Sequence, residues 1–238
     1  MIRLIFATAF ILLMLFSPCK AGFLDNILKE LGLSSEQGLD DTTAISGLKE
    51  ALSIGTEKAV NEVSQIDGYL GNQAIKILMP EKIRKAADVL KKFGYQKQVD
   101  DFITSMNRAA EKAAPKAASH FVESIKKMTF EDARGILKGS NTAATDYFRS
   151  KTSEGLYNDF KPVISSSMDK VGVARLYKDM MGKYTSLPFM KELSFDLDRY
   201  ITDKALAGLF HMVAQEEIKI RTDPAARVTD LLKKVFTK

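Results

Sequence analysis

Apolar residues recur at intervals of three and four along most of this 238-residue chain, and this rhythm predicts helices almost throughout. The pattern runs from Thr42 to about Gln65, and similar stretches follow from Pro80 to Gly94, on to Pro115, and from there to Lys127. Glycines inside the first stretch weaken the pattern without ending it. We therefore predict an all-α fold, a helical bundle.

One segment interrupts the helical rhythm. Residues 68–80 contain two glycines, a short alternation of apolar and polar side chains, and Pro80 at the end. Alternation of this kind is typical of extended chain, and glycines mark turns. We expect one short irregular or β-like insertion here.

Three later helices have recognisable starts. Thr129 is a hydroxyl cap followed by acidic residues, Asn141-Thr142 opens a run to Phe160, and Asp223-Pro224 gives an acidic cap with proline at the first helical position. The last of these predicts a final helix whose apolar side carries Val228, Leu231, Leu232, Val235 and Phe236.

The first 21 residues have the three-part layout of a secretory signal peptide. Arg3 gives a positive start, an apolar run reaches Phe16, and small residues lead to a predicted cleavage between Ala21 and Gly22. The apolar run of about 13 residues is shorter than the roughly 20 that a membrane-spanning helix needs. The alternative is lipidation of Cys19, which would anchor the protein to a membrane surface. We expect a periplasmic protein with no transmembrane helix in its mature chain.

Cleavage would leave 217 residues in two parts: an N-terminal arm with a short helix over 22–40, and a single helical domain over 41–238. Cys19 is the only cysteine, so the mature chain would have no disulfide and no thiolate site. Removing Arg3 and Lys20 leaves 33 basic against 30 acidic residues, a net charge of +3. Interspersed signs and so small a charge argue against a nucleic-acid partner.

Several strings, in fixed order, resemble one bacterial family of exported proteins, the domain-of-unknown-function family numbered 4197. They are SMNRAAEKAAP (105–115), MTFEDARGILKG (128–139), NTAATDYFRSKT (141–152), YITDKALAGLF (200–210) and IRTDPAARVTDLLKKVF (220–236). The resemblance covers the chain from about Gly22 to its end. It implies a helical fold and a place in the Gram-negative cell envelope, but no known activity.

Motifs of known chemistry are missing from the sequence. There is no phosphate-binding GxxxxGK[ST], GxGxxG, GxSxG or HExxH, and no pattern that calls for a cofactor or a metal. His120 and His211 are the two histidines, and each reads as a packing or surface residue. His211 and Glu216 diverge by about 140° on a helix, so they are poorly placed to cooperate. Asp196 and Asp198 suggest a calcium loop but lack the remaining ligands.

A set of charged residues beside apolar positions is the sharpest candidate site. Asp146 and Arg149 lie three apart, and Glu217 and Arg221 four apart, which lets opposite charges meet along a helix. Arginine in such a cluster can hold a carboxylate or phosphate group, but a network of helix caps and ion pairs is the favoured interpretation. The candidate cluster consists of Glu131, Asp132, Arg134, Asp146, Arg149, Glu217, Arg221, Asp223 and Arg227.

Three functions remain open. The favoured one is an exported, non-catalytic envelope protein, a binding or structural helical module whose partner is an unknown envelope protein or lipid. The second is a periplasmic carrier of a lipid or small apolar ligand, because soft methionines and many phenylalanines suit a cavity among helices. The third is a hydrolase whose acidic and arginine residues converge only in three dimensions.

Overall fold

The computed structural model describes residues 41–170, 173–186 and 195–227, together with Thr229 and Lys233. These residues belong to one compact unit, Leu39–Lys238. They contain helices but no strand, which confirms the all-α prediction. The helices are α1 (Asp41–Ser64), α2 (Glu81–Lys92), α3 (Gln96–Ala113), α4 (Ala117–Lys127), α5 (Phe130–Lys138), α6 (Ala143–Lys170), α7 (Val173–Thr185) and α8 (Leu197–Thr222), with 3-10 turns at Ala114–Lys116 and Pro224–Ala226.

The long helices α6 and α8 form the centre of the bundle. They pack most extensively against each other, α3 packs along α6, and α1 packs along α8. Phenylalanine rings fill the space between them, since Phe148 of α6 stacks edge-on against Phe121 of α4 at 5.1 Å, and Phe210 of α8 lies 6.3 Å from the same ring. These rings are almost fully buried. Five of the eight phenylalanines that the structure describes are therefore core.

The predicted helix α1 is confirmed within one residue at each end, and α2 follows Pro80 as expected. Pro80 precedes the helix as its cap residue and is not its first helical residue, with ψ at 139°. At the other end of α2, Gly94 adopts φ of +87°, a left-handed conformation that glycine adopts with little strain.

Helix α6 is longer than its sequence pattern indicates. The expected run ended at Phe160, but the helix continues through Pro162 to Lys170. A proline inside a helix costs about 3 kcal/mol. Burial of Ile164 and Met168 in the core offsets this cost, because each fully buried apolar side chain stabilises by about 1.5–3 kcal/mol.

The segment between α1 and α2 is irregular and contains no strand among residues 65–80. Side chains of α3 supply the hydrogen bonds that a second strand would have given. Asn107 bonds both the amide and the carbonyl of Ile77, at 2.8 and 2.9 Å, and Glu111 accepts from the amide of Tyr69 at 3.2 Å. Tyr69 is fully buried and donates its hydroxyl to the carbonyl of Ala205 at 2.7 Å. The segment is thereby fixed to both α3 and α8.

Several sequence predictions fall outside the described residues. They are the signal peptide (1–21) with its cleavage site at Ala21 and Gly22, the N-terminal arm (22–40), and the apolar side of the final helix at Val228, Leu231, Leu232, Val235 and Phe236. The described part of the C-terminal region contains a 3-10 turn at Pro224–Ala226, directly after Asp223, and a hydrogen bond from the amide of Lys233 to the carbonyl of Thr229 at 3.1 Å.

Candidate functional site

Glu217 is the best-connected member of the predicted charged cluster. Its side chain is 5% exposed, and it accepts hydrogen bonds from the amides of Ala144 and Thr145 at 2.9 and 2.8 Å. The hydroxyl of Thr145 adds a third bond at 2.8 Å. These amides belong to the first turn of α6, where backbone donors have no partner within their own helix. Glu217 on α8 therefore caps α6, and its negative charge favours the positive end of that helix.

Arg221 extends this arrangement to α5. Its guanidinium bonds Glu217 through Nε at 3.0 Å and through a terminal nitrogen at 2.9 Å, and the same nitrogen donates to the carbonyl of Ile136 at 2.9 Å. Ile136 lies in the last turn of α5, where carbonyls lack helical partners. One buried ion pair thus joins the end of α5, the start of α6 and the body of α8.

Arg227 caps the C-terminal end of α8. Its side chain folds back to donate to the carbonyls of Ile220 and Arg221, at 3.1 and 2.9 Å. We call Glu217, Arg221 and Arg227 the α8 junction. The cavity beside the junction has a volume of only about 10 Å³ and is bordered by Leu48 and Ile220. That is barely room for one water molecule, so no substrate fits there.

The other acidic members of the cluster begin helices or stay on the surface. Thr129 caps the start of α5, as the sequence predicted, and Asp132 completes a reciprocal capping box with it. The backbone hydrogen bond from Thr129 lowers the pKa of the Asp132 carboxyl, and the charge of Lys151 adds to this effect. Asp223 accepts from the amide of Ala225 at the next turn. Glu131 and Asp146 are exposed.

The remaining arginines of the cluster lie over aromatic rings. Arg149 lies 4.8 Å from the ring centre of Phe210, and Arg134 lies 5.8 Å from that of Phe130. The structure therefore joins three of the nine predicted residues in the α8 junction and distributes the others along α5, α6 and the end of α8. They do not line one common pocket within the described ranges.

The two histidines occupy different settings. His211 is exposed on α8, while the neighbouring Glu216 is buried and bonds Lys219. His120 on α4 bonds Asp159 of α6 at 2.8 Å, and its ring lies directly against Gly155. Next to it is a polar cleft of about 310 Å³, lined by Glu123, Lys127, Asp132, Tyr147 and Lys151 among others.

The acidic residues of the suggested calcium loop have structural partners. Asp196 caps α8 by accepting from the amide of Arg199 at 3.0 Å, and Asp198 accepts from the hydroxyl of Ser165 at 2.6 Å. No group of three or more His, Cys, Asp or Glu side chains suited to a metal ion occurs among the residues that the structure describes. In that same part of the chain, no helix combines the length and apolar character required to cross a bilayer.

A larger cleft that the sequence did not predict borders the N-terminal part of α8. It has a volume of about 480 Å³ and lies between the irregular segment, α2, α3 and α8. Its apolar lining comes from Leu78, Met79, Ala87, Val99 and Ile103, and its charged lining from Lys76, Glu81, Arg84, Asp88, Lys91 and Lys204. We call it the basic cleft, because four cations face two carboxylates.

Tyr200 closes one side of the basic cleft. Its hydroxyl donates to the carbonyl of Leu78 at 3.0 Å, which ties α8 to the irregular segment. Burial raises the pKa of Tyr200, and the nearby carboxylate of Glu81 raises it further. Leu78 itself is 59% exposed at the edge of this apolar surface.

A partial signal for this cleft was present in the sequence. Arg84, Asp88 and Lys91 follow one another at helical spacing on α2, and Tyr200 and Lys204 do so on α8. Nothing in the sequence indicated that these two faces meet.

Comparison with known proteins gives one match. Residues 38–237 match the model of a family described as a protein of unknown function, DUF4197. No curated protein and no solved structure matches the chain.

Proposed function

The chain belongs to the DUF4197 family, and from this premise we propose that it is an exported, non-catalytic envelope protein, a helical module that binds a partner. Export is supported by residues 1–21, with the positive start, apolar run and small residues of a cleaved signal peptide. Cleavage between Ala21 and Gly22 would release the mature chain into the periplasm of a Gram-negative cell.

The proposal that the protein is non-catalytic rests on the hydrogen bonds of the Glu217 carboxylate. Both carboxylate oxygens are occupied by backbone amides, the hydroxyl of Thr145 and Arg221. A general acid or base must have a lone pair or a proton available to the substrate. Glu217 and Arg221 instead hold three helices together beside a cavity of about 10 Å³. This geometry removes the main support for the hydrolase alternative.

The export proposal is tested by fractionating cells that make the untagged protein and measuring the intact mass of the product. We expect a periplasmic chain that begins at Gly22. A Cys19→Ala variant is the control for lipidation: the released mass stays the same if the signal is cut after Ala21. Met1 retained in a cytosolic fraction, or a lipid mass on Cys19, would contradict the proposal.

The binding proposal is tested by purifying the native protein from the envelope and identifying co-purifying molecules by mass spectrometry. A recurring partner at a fixed ratio supports a binding module. The proposal fails if the protein turns over an envelope ester or amide, and if Glu217→Gln abolishes that turnover while leaving the melting temperature unchanged.

A second candidate function is a carrier of a lipid or small apolar ligand. The basic cleft favours it, because a volume of about 480 Å³ lies within the roughly 300–1,000 Å³ typical of small-molecule sites. Solvent extraction of the purified protein distinguishes the two roles. A lipid in the extract supports a carrier, whereas a co-purifying protein without an extracted lipid supports a scaffold.

A further inference from the structure

We infer that the basic cleft binds a single-chain amphiphile with an anionic head group. This inference rests on the proposed binding function and specifies its ligand. Three features of the cleft support it: the apolar floor, the excess of cations on the rim and the exposed leucine at the edge.

The floor is suited to a hydrocarbon chain. Met79, Ala87 and Val99 line the cleft from three different elements, and Ile103 continues the surface along α3. Beside them Leu78 leaves more than half of its side chain in water. A chain lying along this floor would cover Leu78 and remove apolar surface from water, which is the main driving force for binding an alkyl chain.

The rim is suited to a negative head group. Lys76, Arg84, Lys91 and Lys204 line the cleft, against Glu81 and Asp88. Arg84 faces Glu81 at 3.5 Å and Lys91 faces Asp100 at 3.8 Å, so these two cations are partly neutralised. Lys76 and Lys204 have no ion-pair partner among the residues that the structure describes. With Glu81 and Asp100 paired, Asp88 is the remaining carboxylate of the lining, so Lys76 and Lys204 leave a net positive charge that attracts an anion at the mouth of the cleft.

The shape of the cleft favours one chain over two. A volume of about 480 Å³, open on one side, suits a single small ligand and not a bilayer surface. A face that docks on a membrane would present its exposed apolar residues on a protruding surface, whereas the apolar residues here lie in a concavity. The shape of the cleft therefore favours a single amphiphile molecule as the ligand.

The test uses the mature full-length chain and palmitate as the probe, with binding followed by titration calorimetry below the micelle concentration. We expect one palmitate per chain. The double variant Lys76→Glu/Lys204→Glu should weaken binding by at least tenfold, and Glu81→Gln should strengthen it. The matched control is Lys58→Glu/Lys126→Glu, a reversal of two exposed lysines on α1 and α4, which should leave the affinity unchanged.

Two further probes and the control variant give outcomes that overturn the inference. Hexadecanol binding as tightly as palmitate would show that the rim does not select an anion. Binding to vesicles of a two-chain anionic phospholipid, without binding of palmitate, would show a membrane-docking surface instead. Equal loss of affinity in the control double variant would show a non-specific charge effect.

The failure of this inference is distinguishable from failure of the proposed function. If palmitate does not bind but a partner still co-purifies from the envelope, the binding module stands and the assigned ligand is wrong. If the Lys76→Glu/Lys204→Glu variant has a lowered melting temperature, the single variant Ile103→Asn gives an independent reading of the floor. An unchanged palmitate affinity in a folded Ile103→Asn protein would contradict the inference.

Discussion

Glu217 lies on α8, yet its carboxylate completes the hydrogen bonding of α6 at Ala144, which lies 73 residues earlier. The charge is buried and its strongest partner, Arg221, is also mostly buried. At the scale of single residues, such a pair is costly to break, because removing one partner leaves the other charge in a low-dielectric site.

We expect Glu217→Ala to destabilise the protein by about 3–5 kcal/mol, measured as the free energy of unfolding in urea. The loss combines the ion pair with Arg221 and the caps of two amides of α6. Glu154→Ala is the control, since Glu154 is an exposed carboxylate on α6, and its removal should change stability by less than about 0.5 kcal/mol. A Glu217→Ala protein as stable as the Glu154→Ala protein would refute the capping role.

At the scale of helices, two glycines predict opposite outcomes of the same substitution. A Cβ added at Gly208 of α8 would lie 2.7 Å from the ring of Tyr69, whereas one added at Gly135 of α5 would meet nothing within 4 Å. We expect Gly208→Ala to cost about 1–3 kcal/mol through overpacking. We expect Gly135→Ala to stabilise by about 0.5–1 kcal/mol, because alanine loses less backbone entropy in a helix. Thermal unfolding gives the change in melting temperature of each variant. Changes in the same direction for both variants would contradict the packing of Gly208 against Tyr69.

The start of α5 predicts a pH dependence. Hydrogen bonds from Thr129 lower the folded-state pKa of Asp132 below the usual value of 3.8, so the charged form stabilises the folded state. This contribution is fully present above the unfolded-state pKa and disappears as the pH falls through the lower folded-state pKa. We therefore expect Asp132→Asn to melt below the wild type near neutral pH and to converge with it in strong acid. Glu154→Gln should follow the wild type at every pH, and a gap that widens on acidification would contradict the assignment.

Helix caps and helix ends could be predicted from the sequence where residues close in the chain determine them. The capping box at Thr129 and Asp132, the bounds of α1 and the end of α2 near Gly94 depend on residues within a turn or two. The passage of α6 through Pro162 depends on burial of Ile164 by distant helices, and so the local pattern gave the wrong end. The partners of Glu217 were hidden for the same reason: spacing indicated Arg221, but not the amides of α6.

At the scale of the whole molecule, one continuous apolar core runs from Leu48 of α1 to Val213 of α8. All seven tyrosines are buried in this core or pack against it. Because nearly all of the buried apolar residues that the structure describes belong to this one cluster, we expect the chain to unfold in a single transition. Urea curves from far-ultraviolet circular dichroism and from tyrosine fluorescence should coincide. Two separated midpoints would show that part of the bundle folds independently.

The capping of α6 from α8 also orders events during synthesis. A chain emerging from its N-terminus presents the first turn of α6 long before Glu217 and Arg221 arrive. Until α8 has emerged, α5 and α6 lack the carboxylate and the guanidinium that join them. The nascent polypeptide therefore cannot complete its bundle one helix at a time from the N-terminal side.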